Sequence, residues 1–360
     1  MIIRIIGTGL LGTSLGLCLS RNHEIQLVDG SPVVAALAQD LGAGTVVTDE
    51  SVSPDLVIVA TPPDVAAEWI NESLRSFPDA FVTDVASVKG IVLNEVEEPR
   101  DRYVGSHPMA GRERSGAIAA DADLFIGRPW VVVPHETSQP EAVALMKRIG
   151  MEVGAYPVEM TAVLHDQAVA RVSHVPQLVS SLLASTLTEA SPTSLGLAGQ
   201  GLRDTTRIAN SDADLWAMII AGNPGPVGTI LKELRSRLDD LIDGVDEMAA
   251  RGDYSGVSKV AKVVSDGNEG VSRIPGKHGG APMRYATVTV LVPDKPGELG
   301  RLFTEAGDIG INIEDLSLEH SVAQPVGRAE ISVNPAQAAP LSEGLEERGW
   351  TVASVEMEEK

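Results

Sequence analysis

The N-terminal run IIRII ends directly on G-T-G-L-L-G, Gly7 to Gly12, and Thr13 to Leu19 beyond it has helical character. An apolar strand, three glycines at this spacing and a following helix leave few folds open. Gly7 permits a tight turn, Gly9 lets a pyrophosphate approach the backbone, and Gly12 allows helix to pack closely on strand, with the helix N-terminus facing the phosphates. The second apolar run, EIQLV, closes on Asp29, 20 residues beyond Gly9. A carboxylate there accepts hydrogen bonds from ribose hydroxyls and repels a 2′-phosphate, so the pattern selects NAD over NADP. Thr8, Leu10 and Leu11 complete the loop, and Thr61 follows the later run DLVIVA. The overlapping G-T-S-L-G, Gly12 to Gly16, has the spacing of a hydrolase nucleophile elbow. Its Ser14 falls inside the helix, after the turn has been used, where an elbow serine does not sit.

Further runs, GTVV, AFVTDV, RYVGS and WVVVP, alternate with amphipathic stretches as far as about residue 156. Several are apolar without a break, as strands buried on both faces are, so residues 1–156 read as a doubly wound, mostly parallel α/β domain of the Rossmann type. Residues 157–265 change to helical periodicity; Val227, Ile230, Leu231, Leu234, Leu238, Leu241, Ile242, Val245 and Met248 recur at steps of three and four. Pro224 and Pro226 suit the first turn of that helix. The stripe is long for a lone helix, so this all-helical domain is expected to form a homodimer, with packing inside one chain as the alternative. Residues 266–284 are rich in Gly and Pro and read as a linker. The last segment, 285–360, has the order βαββαβ, the ferredoxin-like arrangement.

Charge narrows the partners. There are 28 Lys and Arg against 50 Asp and Glu, a formal net charge of −22, which repels nucleic acid and anionic lipid. Cys18 is the single cysteine, which excludes an internal disulfide and fits a reducing cytoplasm. The opening segment resembles the apolar region of an export signal, but its glycines carry the mechanism just described. No run reaches the length of a membrane span. None of the 7 histidines makes an H-E-x-x-H motif, and no metal site is expected.

Three segments carry chemistry. TDVASVKG, Thr83 to Gly90, and VGSHPMAGRERSGA, Val104 to Ala117, fall at the ends of strands, where open α/β sheets bind ligands. His107 follows directly on a strand and leads into a glycine-containing loop, which makes it the best general base, against the alternative of a histidine merely satisfied by local hydrogen bonds. GLRDTTRIANSDADLW, Gly201 to Trp216, places Arg203 and Arg207 four residues apart. Local positive charge on an acidic body suggests a bound carboxylate, unless Asp204 or Asp212 pairs with it.

Taken together, G-T-G-L-L-G, D-V-A-S-V-K-G, G-S-H-P-M-A-G-R-E-R-S-G, S-H-V-P-Q and R-D-T-T-R-I-A resemble the prephenate dehydrogenase family of tyrosine biosynthesis, over residues 1 to about 265. D-K-P-G-E-L-G-R-L-F and G-I-N-I-E-D-L look like an ACT domain, a small regulatory module that commonly binds amino acids. The resemblance implies NAD-dependent oxidative decarboxylation of prephenate to 4-hydroxyphenylpyruvate. It implies His107 as the base on the ring hydroxyl, Ser87 orienting it, Glu113 gating or polarising the pocket, and Arg207 holding a substrate carboxylate with Arg203 nearby. His174 and Gln177 would reach the same cleft. Many relatives carry histidine where this chain has Gln177, so arogenate is the alternative substrate. The ACT-like segment would bind tyrosine or phenylalanine at Asp294, Pro296, Gly297 and Leu299, with Asn312 and Ile313, or else serve as a packing domain without a ligand. A catalytically silent regulator that senses NAD and an amino acid is the reading from another class.

Overall fold

A computed structural model describes residues 1–47, 52–112, 114, 116–275, 285–320 and 326–357. The chain forms two compact units, Met1–Ser236 and Arg237–Lys360.

In the first unit, strands β1 (Ile2–Ile6), β2 (Glu24–Val28), β3 (Thr45–Val46), β4 (Leu56–Val59) and β5 (Phe81–Asp84) form a parallel sheet in the order β3-β2-β1-β4-β5. Helices α1 (Leu10–Leu19), α2 (Pro32–Asp40) and α3 (Pro63–Ser76) are its crossovers. The unbroken apolar runs follow from two cores, one on each face. Ile3, Ile5, Leu56 and Ile58 enter one, while Ile6, Val57, Val59 and Val82 enter the other. Each such side chain contributes about 1.5–3 kcal/mol by leaving water, and the polar side chains buried in β1 and β2, Arg4 and Gln26, are bonded to each other at 3.0 Å.

The later strands depart from one continuous parallel sheet. β6 (Val104–Pro108), β7 (Pro129–Pro134) and β8 (Tyr156–Glu159) make a separate sheet in which β6 and β7 run antiparallel. A single parallel bridge, Val82 to Tyr103, and the side-chain hydrogen bond of Thr83 to Ser106 at 3.0 Å link β5 to β6. β8 lies beyond the point where the strand signal was expected to stop. It is short, pairs only with β7 and carries Pro157, as edge strands can. Helices α4 (Gly90–Glu95) and α5 (Pro140–Glu152) complete the α/β part. Ser14 is buried within α1, consistent with its rejection as an elbow nucleophile.

Helices follow. α6 (Ala162–Val169) passes through a π-helical stretch, Ala170–His174, into α7 (Val175–Ser185), and α8 (Pro192–Leu195), α9 (Gln200–Thr206) and α10 (Ala213–Ala221) come next. α11 (Pro224–Arg251) starts at Pro224, as the missing N–H allows. Val175, Val227 and Ile230 form a small core with Ala170. α12 (Val257–Ser272) runs into the stretch read as linker: residues 266–272 stay helical despite Gly267 and Gly270, and 276–284 lie outside the described residues.

In the second unit, β9 (Ala286–Pro293), α13 (Glu298–Asp308), β10 (Asp315–His320), β11 (Val326–Val333), α14 (Ala338–Glu347) and β12 (Thr351–Met357) give the expected βαββαβ order. The sheet is antiparallel, in the order β10-β11-β9-β12. Val288, Val290 and Ile331 meet Leu302, Leu341 and Leu345 in its core.

Candidate active site

The carboxyl ends of β1, β4 and β5 lie at one edge of the parallel sheet, and the parallel Val82–Tyr103 bridge brings the end of β6 to the same side. Gly7, Thr61, the 85–90 loop and His107 therefore share the edge where doubly wound folds bind ligands.

The glycine loop fits a dinucleotide on observations independent of the motif. Gly7 has φ +95°, and a Cβ there would meet the Ala60 carbonyl oxygen at 2.6 Å. A Cβ on Gly12 would stand 1.9 Å from the Gly7 carbonyl oxygen. Gly9 is different: a Cβ would meet nothing within 4 Å, so the chain itself leaves that side open. No side chain caps the N-terminus of α1, where Gly9 is the cap residue, so its first N–H groups are left for a ligand. The Thr61 hydroxyl is buried without a partner, an arrangement that costs free energy unless something binds it. Asp29 Oδ2 accepts from the Thr8 N–H at 2.7 Å and the Thr8 hydroxyl at 2.9 Å, and Oδ1 accepts from the Ser31 N–H at 2.8 Å. A carboxylate has about four acceptor directions, so Asp29 braces the loop and keeps capacity for a hydroxyl.

His107 sits at the end of β6 and is 8% exposed. Its Nδ1 lies 2.8 Å from Nε2 of His165, and Nδ1 of His165 lies 2.8 Å from Oδ1 of Asp166. The hydrogen bond of the His107 ring within the chain is made through Nδ1, which leaves Nε2 as the ring nitrogen for a ligand. Asp166 also accepts from the N–H of Lys89 at 2.9 Å and of Gly90 at 2.8 Å, which ties α6 to the S-V-K-G loop. Burial would raise the Asp166 carboxyl, but its hydrogen bonds from His165, Lys89 and Gly90 hold it below the ordinary carboxylate range. Burial pushes the His107 imidazole well below its usual value, and His165, Lys89 and His174 push the same way.

A buried ion pair stands behind β6. Lys89 is 1% exposed and is paired with Asp84, whose other oxygen accepts from the Tyr103 hydroxyl at 2.6 Å. Burial pulls the Lys89 ammonium down from its usual range, opposed by Asp84.

His174 lies in the π stretch, a widened turn that shifts the residues beyond it around the helix. Its Nδ1 is 3.3 Å from the Asn223 amide nitrogen, and its Nε2 is buried with no partner. Trp216 lies edge-on at 6.2 Å. Burial lowers His174 to about 4; Asp166 opposes this, and His165 adds to it.

The remaining expected residues divide. Gln177 is buried, and its amide nitrogen donates to the Ile208 carbonyl at 2.8 Å and the Ser211 hydroxyl at 2.7 Å, while Ser180 donates to the Thr205 carbonyl at 2.8 Å. α7 thereby braces the turn that carries Arg207. Arg203, in the last turn of α9, and Arg207 are both exposed. Asp204 accepts from Gln200, and Asp212 caps α10. The bond that His107 makes inside the chain goes to His165 and not to Ser87. Glu113 lies outside the described residues. In the second unit the expected effector residues line two hollows. Asp294, Pro296, Gly297 and Leu299 line one, of about 360 Å³, while Asn312 and Ile313 line another, of about 480 Å³. Among the described residues no group of side chains is arranged to hold a metal, and no helix is long and apolar enough to cross a membrane.

His165, Asp166, Lys89 and Asn223 were not singled out by sequence. The available signal was the adjacent pair H-D within V-L-H-D-Q, with His165 eight residues before S-H-V-P-Q. Gly90 gives a direct check on the Asp166 anchor. A Cβ there would be 2.7 Å from Oδ2 of Asp166, so Gly90→Ala is expected to lower stability by about 1–3 kcal/mol. Denaturant unfolding that leaves the midpoint unchanged would contradict the contact.

Known proteins resemble both the α/β part of the chain and the helices that follow it. Residues 15–159 match the family model for the prephenate dehydrogenase nucleotide-binding domain, and residues 161–259 match the model for its dimerization domain. The chain is 34% identical to the probable prephenate dehydrogenase NovF of Streptomyces niveus, over 97% of this chain and 99% of that protein. It is 28% identical to the prephenate dehydrogenase of Bacillus subtilis, over 83% of each. Among solved structures, Aquifex aeolicus prephenate dehydrogenase in complex with hydroxyphenyl propionate and NAD⁺ superposes with a TM-score of 0.66 at 29% identity, over 75% of this chain and 98% of that one. Synechocystis arogenate dehydrogenase gives 0.60 at 27%, over 75% and 100%.

Proposed function

The chain belongs to the prephenate dehydrogenase family, and from that premise we propose that it converts prephenate to 4-hydroxyphenylpyruvate and carbon dioxide with NAD as oxidant. The observation that carries this reading is His107, held at the ligand-binding edge with Nδ1 engaged and Nε2 left for a ligand. When bound, the nicotinamide supplies the hydride acceptor. The chain holds the dinucleotide with the Gly7–Gly12 loop, Thr8, Leu10, Leu11, Thr61 and Asp29, whose carboxylate also disfavours a 2′-phosphate. His107 accepts the ring hydroxyl proton, which raises electron density at the carbon that gives up its hydride. Loss of the ring carboxylate then aromatises the ring.

Prephenate carries two carboxylates and needs cations to hold it in a reactive pose. Arg207 takes one, with Arg203 beside it on the turn that Gln177 braces. The buried N–H left on Nε2 of His174 is a further donor for the substrate. From the family resemblance, Ser87 is assigned near the nicotinamide as an orienting group for His107, and Glu113 is assigned to gate or polarise the pocket. Mixing the protein with NAD and prephenate is expected to raise the NADH absorbance band. The same mixture with arogenate distinguishes the second substrate, and no signal with either substrate would overturn the proposal in favour of a silent sensor.

The domain divisions 1–156, 157–265 and 285–360 then correspond to dinucleotide binding, substrate binding with dimerisation, and regulation. Leu234, Leu238, Ile242 and Val245 leave an exposed apolar row along α11, which supports a homodimer. The βαββαβ unit acts as an ACT domain for tyrosine or phenylalanine, and the two hollows that hold its expected residues support this.

A further inference from the structure

We propose that His165 and Asp166 are positioning residues that fix the tautomer of His107 and hold its proton during the reaction; this rests on the base role assigned to His107 above. Asp166 is an ionised acceptor, already receiving two backbone N–H groups, so the nitrogen of His165 that faces it, Nδ1, must carry hydrogen. A neutral His165 then presents a bare Nε2. The contact of 2.8 Å to His107 requires a hydrogen between the two nitrogens, and only Nδ1 of His107 is left to supply it. Nε2 of His107 is consequently a lone pair. Two buried hydrogen bonds therefore select the one tautomer that can act as a base toward the open side. Among the described residues His107 is bonded to His165 and not directly to an acid, so the selection comes through His165.

The same chain carries the proton. As the substrate O–H bond breaks, its proton forms a bond to Nε2 of His107, and the hydrogen on Nδ1 passes to Nε2 of His165. His165 becomes an imidazolium against the Asp166 carboxylate. The hydride goes to NAD, and the electron pair of the bond to the ring carboxylate stays in the ring as carbon dioxide leaves. The ring oxygen then takes a proton back from Nε2 of His107, Nδ1 recovers its hydrogen from His165, and no net proton is released. Lys89 at the start of α4 and His174 in the π stretch face the same cluster; both disfavour charge on His107 itself. Moving the positive charge one ring further, onto the residue paired with Asp166, relieves that opposition.

The test is nitrogen NMR of the full chain with labelled histidine near neutral pH, with signals assigned through His107→Asn and His165→Gln, followed by kinetics. The expected spectrum has His107 protonated on Nδ1 and bare on Nε2. His165→Phe removes the acceptor and should invert that tautomer, lowering kcat by about 10²-fold or more with little change in either KM. His165→Gln can still accept through its amide oxygen, and should keep the tautomer and recover part of the rate. A wild-type His107 protonated on Nε2, or an imidazolium His165 in the resting protein, would overturn the proposal. So would His165→Phe turning over at the wild-type rate while His107→Asn is inactive, a result that leaves the base role standing. Activity retained in His107→Asn would instead remove the reading on which the proposal rests. Should His165→Phe lose NAD binding through misfolding, the wild-type spectrum and the Gln variant decide.

Discussion

His107→Asn is expected to lower kcat with prephenate by about 10²–10⁴-fold, the usual worth of a general base, while NAD still binds. This corresponds to about 3–5.5 kcal/mol of transition-state stabilisation. Asparagine is smaller and polar, and the residues that brace the glycine loop, Thr8, Asp29 and Ser31, lie on other elements. Steady-state kinetics with prephenate, together with NAD titration, would check both halves. Equal activity in the variant would remove His107 from the reaction. The pH dependence follows with the same sign. Protonation fills Nε2, so kcat/KM falls as pH drops through the His107 pKa, which lies well below the ordinary 6.5. Stability follows suit: the unfolded chain takes up protons at His107 and His174 before the folded one does. The contribution of these neutral histidines is present above the ordinary imidazole range. It is lost as pH falls from 6.5 toward the folded-state values, about 4 for His174.

Gly12→Ala is expected to weaken NAD binding by about 10²-fold or more. The added Cβ would lie 1.9 Å from the Gly7 carbonyl oxygen and 3.2 Å from Cγ2 of Ile5. Backbone cannot swing aside as a flexible side chain does, so α1 must move off β1 and the loop loses its shape. Each charge-assisted hydrogen bond from the loop to a pyrophosphate contributes about 1.5–3 kcal/mol, or roughly 10- to 150-fold in affinity. Gly9→Ala is the informative contrast. It meets nothing within the chain, so unfolding should be unaffected while NAD affinity falls. Titration calorimetry on the two variants separates damage to the scaffold from obstruction of the ligand. Wild-type affinity in Gly12→Ala would contradict the account of the loop.

These contrasts also show what was legible before the structure. The two-sided burial of β4 shows in sequence as the uninterrupted run LVIV, while β1 and β2 each bury one polar residue, Arg4 and Gln26, which bond to each other; Gly7, Gly12 and Asp29 declare themselves because each position has a local backbone reason. The βαββαβ unit was readable from its alternating strands and short helices. β8 was not, since a four-residue edge strand with a proline carries little pattern. His165 and Asp166 escaped notice for a different reason. Their partners, His107 and the N–H groups of Lys89 and Gly90, are 58 to 77 residues away in the chain, and only tertiary packing brings them together. The place of Gln177 in S-H-V-P-Q points to the substrate cleft, but no sequence pattern shows that its amide N–H groups brace the turn that carries Arg207.

The central claim is that Nε2 of His107 meets the ring oxygen of the substrate. A crystal structure of the protein with NAD and a hydroxyphenyl product analogue measures this directly. The account predicts Nε2 at about 2.6–3.2 Å from the ring oxygen, with Nδ1 still bonded to His165. A ring oxygen lodged against another residue, with His107 turned from the ligand and no water between them, would contradict it.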